Sequence, residues 1–233
     1  MTVTERVVNS TIKGLVRVLC RVDDAGLAHV PPRGPLILVT NHVNFLEVPV
    51  LVTALWPRPL TAFVKAETWE NPILHFLFDL WGGIPLRRGE ADVVAFRQGL
   101  AALETECILG VAPEGTRSGH GRLQQGHPGM VLLALRSGAP LLPVVYFGAE
   151  NYRRQWSRLR RADFRIVVGR PFFLDARGVR VTRQVRRQMT DEVMYQIAAL
   201  LPPAYRGHYA DLAAATEFFL RFPPLSGSNL DCS

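Results

Sequence analysis

Lysine is almost missing from this sequence: of its 27 lysines and arginines only Lys13 and Lys65 are lysines. Guanidinium groups prefer planar anions, so the net charge of +7 points to phosphate-bearing partners such as lipid head groups, nucleotides or nucleic acid. Cysteine is scarce as well. Cys20, Cys107 and Cys232 are far apart and lack metal-ligand spacing, which argues against a zinc site or disulfide framework and for a reducing compartment. No stretch approaches the ~20 apolar residues needed to cross a bilayer, and no apolar run with a small-residue cleavage site marks a secretory leader. The expectation is a chain neither exported by that route nor spanning a membrane. Gly-x-Ser-x-Gly, His-Glu-x-x-His, Cys-x-x-Cys and Gly-x-Gly-x-x-Gly are all missing, and the segment from Gly121 to His127 imitates a phosphate loop without its lysine. Serine hydrolysis, zinc proteolysis and nucleotide hydrolysis thereby lose their usual signatures. Nucleic-acid binding would rest on the basic balance alone, since no interleaving of basic and aromatic residues and no recognition helix stands out.

What is present is a chain of 233 residues, 48% of them hydrophobic, enough for one sizeable core with helical additions. Residues 2–22 read as a helix opened by a Thr2-x-x-Glu5 capping box. At 3.6 residues per turn Val8, Ile12, Leu15, Val16, Leu19 and Val22 gather on one side, with Arg6, Lys13, Arg17 and Arg21 on a narrow opposite stripe. Two readings follow: a cationic amphipathic helix lying in a head-group layer, or an ordinary surface helix covering the core. A polar connector follows over 23–34. Strands are then expected at 35–40, 61–64, 83–86, 107–111, 141–147 and 164–168. Helices are expected at 48–56, 72–80, 91–103, 128–136 and 182–201, and an arginine-rich loop carries Arg153, Arg154, Arg158, Arg160 and Arg161. Short apolar strands alternating with helices imply an α/β fold with a largely parallel sheet flanked by helices. The last thirty residues read as a loose tail.

In such sheets the loops leaving the C-terminal strand ends line the ligand crevice. His42, Arg87 with Arg88, and the run Glu114-Gly115-Thr116-Arg117 each follow an expected strand. A histidine oriented by a carboxylate is the usual means of taking a proton from a hydroxyl near neutral pH. On a continuous helix His42 and Glu47 would lie about 140° apart and could not meet, so the helix must begin between them. Pro49, tolerated only in a first turn, places that start at residues 46–48. It also disfavours the competing reading, in which Asn44 and Glu47 form a capping box and His42 is an ordinary loop residue. In the second segment backbone N–H groups, the Thr116 hydroxyl and the Arg117 fork can converge on an anion, and Gly115 permits close backbone approach. The alternative there is a surface turn with a local Glu114–Arg117 ion pair. Arg87 and Arg88 taken alone favour the plainer reading, since two arginines at a strand end are more often solvated than ligand-bound.

Taken together, the motifs resemble the lysophospholipid and glycerol-phosphate acyltransferase family. Its Asn-His-x-x-x-x-Asp block is matched by Asn41, His42 and Glu47. Its Ile-Pro-Val-Asp-Arg-Gly block resembles Ile84-Pro85-Leu86-Arg87-Arg88-Gly89. Its Pro-Glu-Gly-Thr-Arg-Ser block is matched in full at residues 113–118, and its apolar strand after Gly-Ala-Pro is matched by Gly138-Ala139-Pro140-Leu141-Leu142-Pro143-Val144. The resemblance covers about residues 30–205. It implies acyl transfer from an acyl-CoA or acyl carrier protein to the free hydroxyl of 1-acyl-glycerol 3-phosphate, with neither metal nor other cofactor. Another acceptor, or lipid binding without catalysis, is the alternative. It implies His42 and Glu47 as the catalytic pair and Arg88, Glu114, Gly115, Thr116 and Arg117 as the substrate-binding set. The expected layout is a membrane-surface helix over 1–24, an acyltransferase domain over 25–205 and a tail over 206–233. The expected location is peripheral, on the anionic cytoplasmic face of a membrane, with no nucleic-acid partner. Two positions depart from the family: Glu47 adds a methylene where aspartate is usual, and Arg87 replaces an acid.

Overall fold

The computed structural model describes residues 2–87, 92–224 and 226–232. In chain order the described elements are α1 (Val3–Leu19), β1 (Cys20–Asp23), β2 (Leu36–Val39), α2 (Glu47–Leu55), β3 (Leu60–Lys65), α3 (Pro72–Leu80), β4 (Ile84–Leu86), α4 (Val93–Glu104), β5 (Ile108–Val111), α5 (Gly129–Ser137), β6 (Leu141–Phe147), α6 (Tyr152–Trp156), β7 (Ala162–Val168), β8 (Phe173–Leu174), α7 (Arg183–Ala199) and β9 (Leu220–Arg221), with short 3₁₀ turns between them. The helices start where local chemistry supplies partners for orphan N–H groups. Thr2 and Glu5 close a reciprocal capping box on α1. Asn71 caps α3 with Pro72 at its first position, Asp92 caps α4 and Thr182 caps α7. The last turn of α5 is closed by Gly138 at φ +62°, a left-handed conformation that glycine adopts without penalty.

The main sheet has seven strands in the order β1-β7-β6-β2-β5-β3-β4. Every pairing is parallel except β6 with β7. A parallel sheet must be covered on both faces, and side chains alternate between them. Ile37, Val39, Leu109, Leu141 and Val145 join the core formed with α5 and α7. Leu36, Leu38, Ile108, Leu142, Val144 and Tyr146 join the core formed with Leu46, Val50 and Leu51 around the start of α2. The connection leaving β2 crosses one face through α2 toward β3, and the one leaving its neighbour β5 crosses the other face through α5 toward β6. Adjacent strands whose exits part in this way leave a crevice at their C-terminal ends. The fold class read from the sequence is the one observed.

Three local readings need correction. The first helix stops at Leu19 rather than 22, and Cys20–Asp23 becomes an edge strand parallel to β7; no helix-stop residue marks the change, because the free edge of β7 selects it. Within the arginine-rich loop, Tyr152–Trp156 is helical. The segment expected as a loose tail is packed. Tyr209, Phe219 and Leu220 are buried in the core. The buried Glu192 of α7 accepts from Thr216 Oγ1 and from the Phe218 and Phe219 N–H groups. Gln196 Nε2 donates to Glu217 and Ser228, while Gln196 Oε1 accepts from Asn229. Polar groups buried on α7 hold this segment, which is why its own hydrophobic pattern gives no periodic signal.

The amphipathic side of α1 is largely covered as well. Val16 and Leu19 pack on the core, and the buried Asn9 accepts from Trp81 Nε1 at 2.9 Å. The large apolar residues of α1 left exposed are Val3, Val7, Leu15 and Val18. Leu15 belongs to the apolar side read from the sequence, and it is a part of that side that the core leaves open. Among the described residues no helix is long and apolar enough to cross a membrane.

Candidate active site

The loop leaving β2 is built from the backbone outward. Asn41 prolongs the sheet with its side chain: its Nδ2 donates to the Tyr146 carbonyl at 2.8 Å and its Oδ1 accepts from the Tyr146 N–H at 2.9 Å. Asn44 Nδ2 likewise donates to the Ala149 carbonyl at 3.0 Å, and its Oδ1 accepts from the Leu46 N–H. These two asparagines hold the chain on β6 and on the turn that follows it, and α2 starts at Glu47 with Pro49 in its first turn. The start falls inside the window that the phase argument requires.

His42 and Glu47 meet. His42 Nδ1 lies 2.8 Å from Glu47 Oε2. A carboxylate only accepts, so this contact places the proton on Nδ1 and leaves the Nε2 lone pair free. The Glu47 side chain is 3% exposed and that of His42 is 19% exposed; the acid is sealed in and the ring faces the crevice. The other glutamate oxygen accepts from the Val43 and Asn44 N–H groups. Part of the competing capping reading is thus present too: the same carboxylate that orients the imidazole accepts from the Asn44 N–H, and it stands in the first turn of α2, where the macrodipole favours a negative charge. The added methylene of glutamate is accommodated.

Glu114, expected in the substrate-binding set, is turned inward onto the backbone. It is buried, with Oε1 accepting from the His42 N–H at 2.7 Å and Oε2 from the Gln124 N–H at 2.8 Å. Burial pushes its carboxyl up from the ordinary glutamate range, against the pull of those two N–H donors. It makes no ion pair with Arg117; it ties the β2 loop to the β5 loop. Two backbone bonds do the same, from Ser118 N–H to the His42 carbonyl at 2.7 Å and from Gly119 N–H to the Val43 carbonyl at 3.2 Å.

Gly115 (φ +66°), Thr116 and Arg117 are exposed at the tip of that joined pair. The Arg117 guanidinium lies 5.8 Å from the Phe45 ring centroid, a cation–π contact that draws it over the histidine loop. The expected phosphate ligand Arg88 lies outside the described residues. Its neighbour Arg87 donates its backbone N–H to Asp92, and β4 is separated from β5 by β3.

Tyr146 and Gln124 are parts of this site that the sequence reading did not single out, and Asn44 was named there only for the capping box. Asn44 was visible as a polar residue among apolar ones. The Tyr146 contribution is made by backbone groups, for which side-chain identity carries no signal; Gln124 acts through its backbone N–H and also through its side-chain Nε2, which donates to the Thr116 carbonyl at 3.3 Å.

Comparison with known proteins gives a consistent picture. Residues 21–147 match the family model described as Acyltransferase. The lyso-ornithine lipid O-acyltransferase of Pseudomonas aeruginosa is 34% identical over 124 residues, covering 53% of this chain and 45% of that protein. The chloroplastic 1-acyl-sn-glycerol-3-phosphate acyltransferase BAT2 of Brassica napus is 24% identical over 158 residues, covering 66% of this chain and 45% of that one. The chain therefore spans about half the length of these curated relatives. In fold it is similar to the crystal structure of the 1-acyl-sn-glycerophosphate acyltransferase of Thermotoga maritima, with a TM-score of 0.59, 21% identity, and coverage of 81% of this chain and 77% of that one.

Proposed function

This chain belongs to the Acyltransferase family, and from that membership and the geometry of the site we propose that it moves an acyl group from a thioester to the free hydroxyl of a lysophospholipid, 1-acyl-glycerol 3-phosphate. The observation that carries the reading is the His42–Glu47 contact on a loop joined to an exposed Gly-Thr-Arg turn. His42 Nε2 takes the proton of the acceptor hydroxyl as its oxygen attacks the thioester carbonyl. Collapse of the tetrahedral adduct breaks the carbon–sulfur bond, and the imidazolium returns the proton to the leaving thiolate. Glu47 holds the tautomer and stabilises the imidazolium. Arg117, with Gly115 and Thr116, holds the acceptor's anionic group; Arg88 joins them by resemblance. Holding both ends of the acceptor lowers the entropic part of the barrier. No metal or covalent acyl-enzyme is required, and acyl-CoA or an acyl carrier protein serves as donor.

A second acceptor class has its own support, because a relative at 34% identity is named for a lyso-ornithine lipid. Such a head group offers a carboxylate, and the planar fork of Arg117 fits a carboxylate as readily as a phosphate.

The outer ridge of α1, with Val3, Val7, Leu15 and Val18 exposed beside Arg6 and Lys13, would rest on an anionic cytoplasmic leaflet where these acceptors reside.

The test is thiol release from long-chain acyl-CoA and acyl carrier protein, with lysophosphatidic acid or a lyso-ornithine lipid as acceptor, confirmed by the lipid product. His42→Ala should lower turnover by roughly 10²- to 10⁴-fold. Near-wild-type turnover in a folded His42→Ala protein would remove the base. Arg117→Ala should raise the acceptor KM, and Arg117→Lys should recover only part of it, since a point charge does not reproduce the fork. Acceptor dependence unchanged in both variants would take Arg117 out of the anion site.

A further inference from the structure

The loop from Gly121 to α5 enters the site at a residue to which the reading above gives no role. His127 is exposed, and its ring has no hydrogen bond or ion pair among the described residues. Its backbone, by contrast, is fixed. The His127 N–H donates to the Pro113 carbonyl at 2.7 Å, directly before the Glu114-Gly115-Thr116-Arg117 turn. The preceding Gly126 is held at both ends of its peptide: its N–H donates to the Tyr209 hydroxyl at 3.1 Å, and its carbonyl accepts from Arg187 Nη1 at 3.0 Å. Those two partners are themselves anchored on Asp191, which accepts from the Tyr209 hydroxyl at 2.7 Å and from Arg187 Nε at 3.0 Å. Gly126 lies so close to α7 that a Cβ there would come within 2.8 Å of Met194 Cγ.

This framework aims the imidazole at one place. A Cβ added to Gly115 would lie 3.2 Å from His127 Cδ2 and 4.0 Å from its Nε2. The ring therefore occupies the space beside Gly115, at the turn on which Thr116 and Arg117 are exposed while the Gly115 N–H donates to the Ala112 carbonyl. A free imidazole nitrogen, placed by a rigid backbone next to an anion-seeking turn, is a donor without an acceptor. In the charged form it also adds a second cation beside Arg117. Core-filling does not explain it, because the side chain is exposed.

We propose that His127 is an acceptor-binding residue whose ring nitrogen donates to an oxyanion of the acceptor head group, phosphate or carboxylate, beside the Gly115 turn. The proposal rests on the acceptor-anion role given to that turn above. It also explains why Tyr209 and α7 hold Gly126 so closely: they set the direction of a ligand rather than merely closing the core.

A binding measurement separates this inference from the acyl-transfer reading. Inorganic phosphate, glycerol 3-phosphate and N-acetylornithine are titrated into the full chain while the histidine ring C–H resonances are followed by NMR, with His127 assigned by its loss in His127→Ala. The His127 resonance should move with the phosphate-bearing probes, with the carboxylate probe or with both, and so reveal which oxyanion the site takes. His127→Ala should weaken that binding about tenfold, the lower range for losing a hydrogen bond to a charged group, and His127→Lys should restore most of it. A stationary His127 resonance, or affinity unchanged in His127→Ala, would overturn the inference. In turnover assays the same variant should raise the acceptor KM with kcat nearly kept. Acyl transfer with an unchanged acceptor KM would sink His127 alone and leave the reaction standing, whereas anion binding at His127 without any acyl transfer would sink the reaction and keep the subsite.

Discussion

Glu47 has two tasks on two oxygens, and substitutions should separate them. One oxygen orients His42 and the other accepts two backbone N–H groups. Glu47→Gln keeps an acceptor but removes the charge that stabilises the imidazolium, so turnover should fall roughly 10²-fold or more with little change in stability. Glu47→Ala should in addition leave the Val43 and Asn44 N–H groups unpartnered, at about 1–3 kcal/mol for each that stays dry, read as a lower urea midpoint at unchanged slope. Glu114 supplies a pH test. Burial raises its carboxyl pKa in the folded chain, so the folded state holds that proton more tightly than the unfolded state does. Ionised Glu114 therefore weighs against folding at neutral pH, and this burden is relieved as the pH falls through the raised pKa. Wild type should gain thermal stability relative to Glu114→Gln, which does not titrate, when both are compared at pH 7 and pH 5. A constant difference in Tm between the two proteins would show that burial does not govern this carboxyl.

Elements that announce themselves by composition were legible in the sequence; those recruited by a neighbour were not. β2 and β6 read as strands because both faces of a central parallel strand are buried. Likewise α2 was placed by Pro49 and by the requirement that His42 and Glu47 meet. β1 has no such mark, since it is a strand only because β7 offers an edge. In the site, the meeting of His42 with Glu47 was readable, but the inward turn of Glu114 was not, because its partners include the backbone N–H groups of His42 and Gln124. The first helix shows the same divide: periodicity located its apolar side, yet the structure spends much of that side on the core and leaves a different ridge outside. Replacing Val7 and Val18 together by serine should weaken co-sedimentation with anionic vesicles while leaving the melting temperature nearly unchanged, because both side chains are exposed. Equal binding of wild type to neutral and anionic vesicles would exclude the electrostatic part of that contact.

Across the whole molecule, the C-terminal segment is part of the same cooperative body as the sheet. Removing residues 206–233 would take Tyr209, Phe219 and Leu220 out of the core and strip the buried Glu192 and Gln196 of their partners. An unpaired buried charge alone can cost about 3–5 kcal/mol, a large share of the stability of a typical domain. The truncated chain should lose its near-UV circular dichroism and become sensitive to protease under conditions in which the full chain resists; a native-like spectrum would show that the segment is dispensable. The Ser118 and Gly119 N–H bonds to the β2 loop and the two-ended grip of Glu114 have a further meaning at this scale. They fix the span between the His42 ring and the Gly115 turn before any substrate arrives. With the acceptor binding proposed above, the molecule would work as a gauge: it would measure how many bonds separate an alcohol from its negative charge, and an acceptor one bond too long could be held at either jaw but not at both.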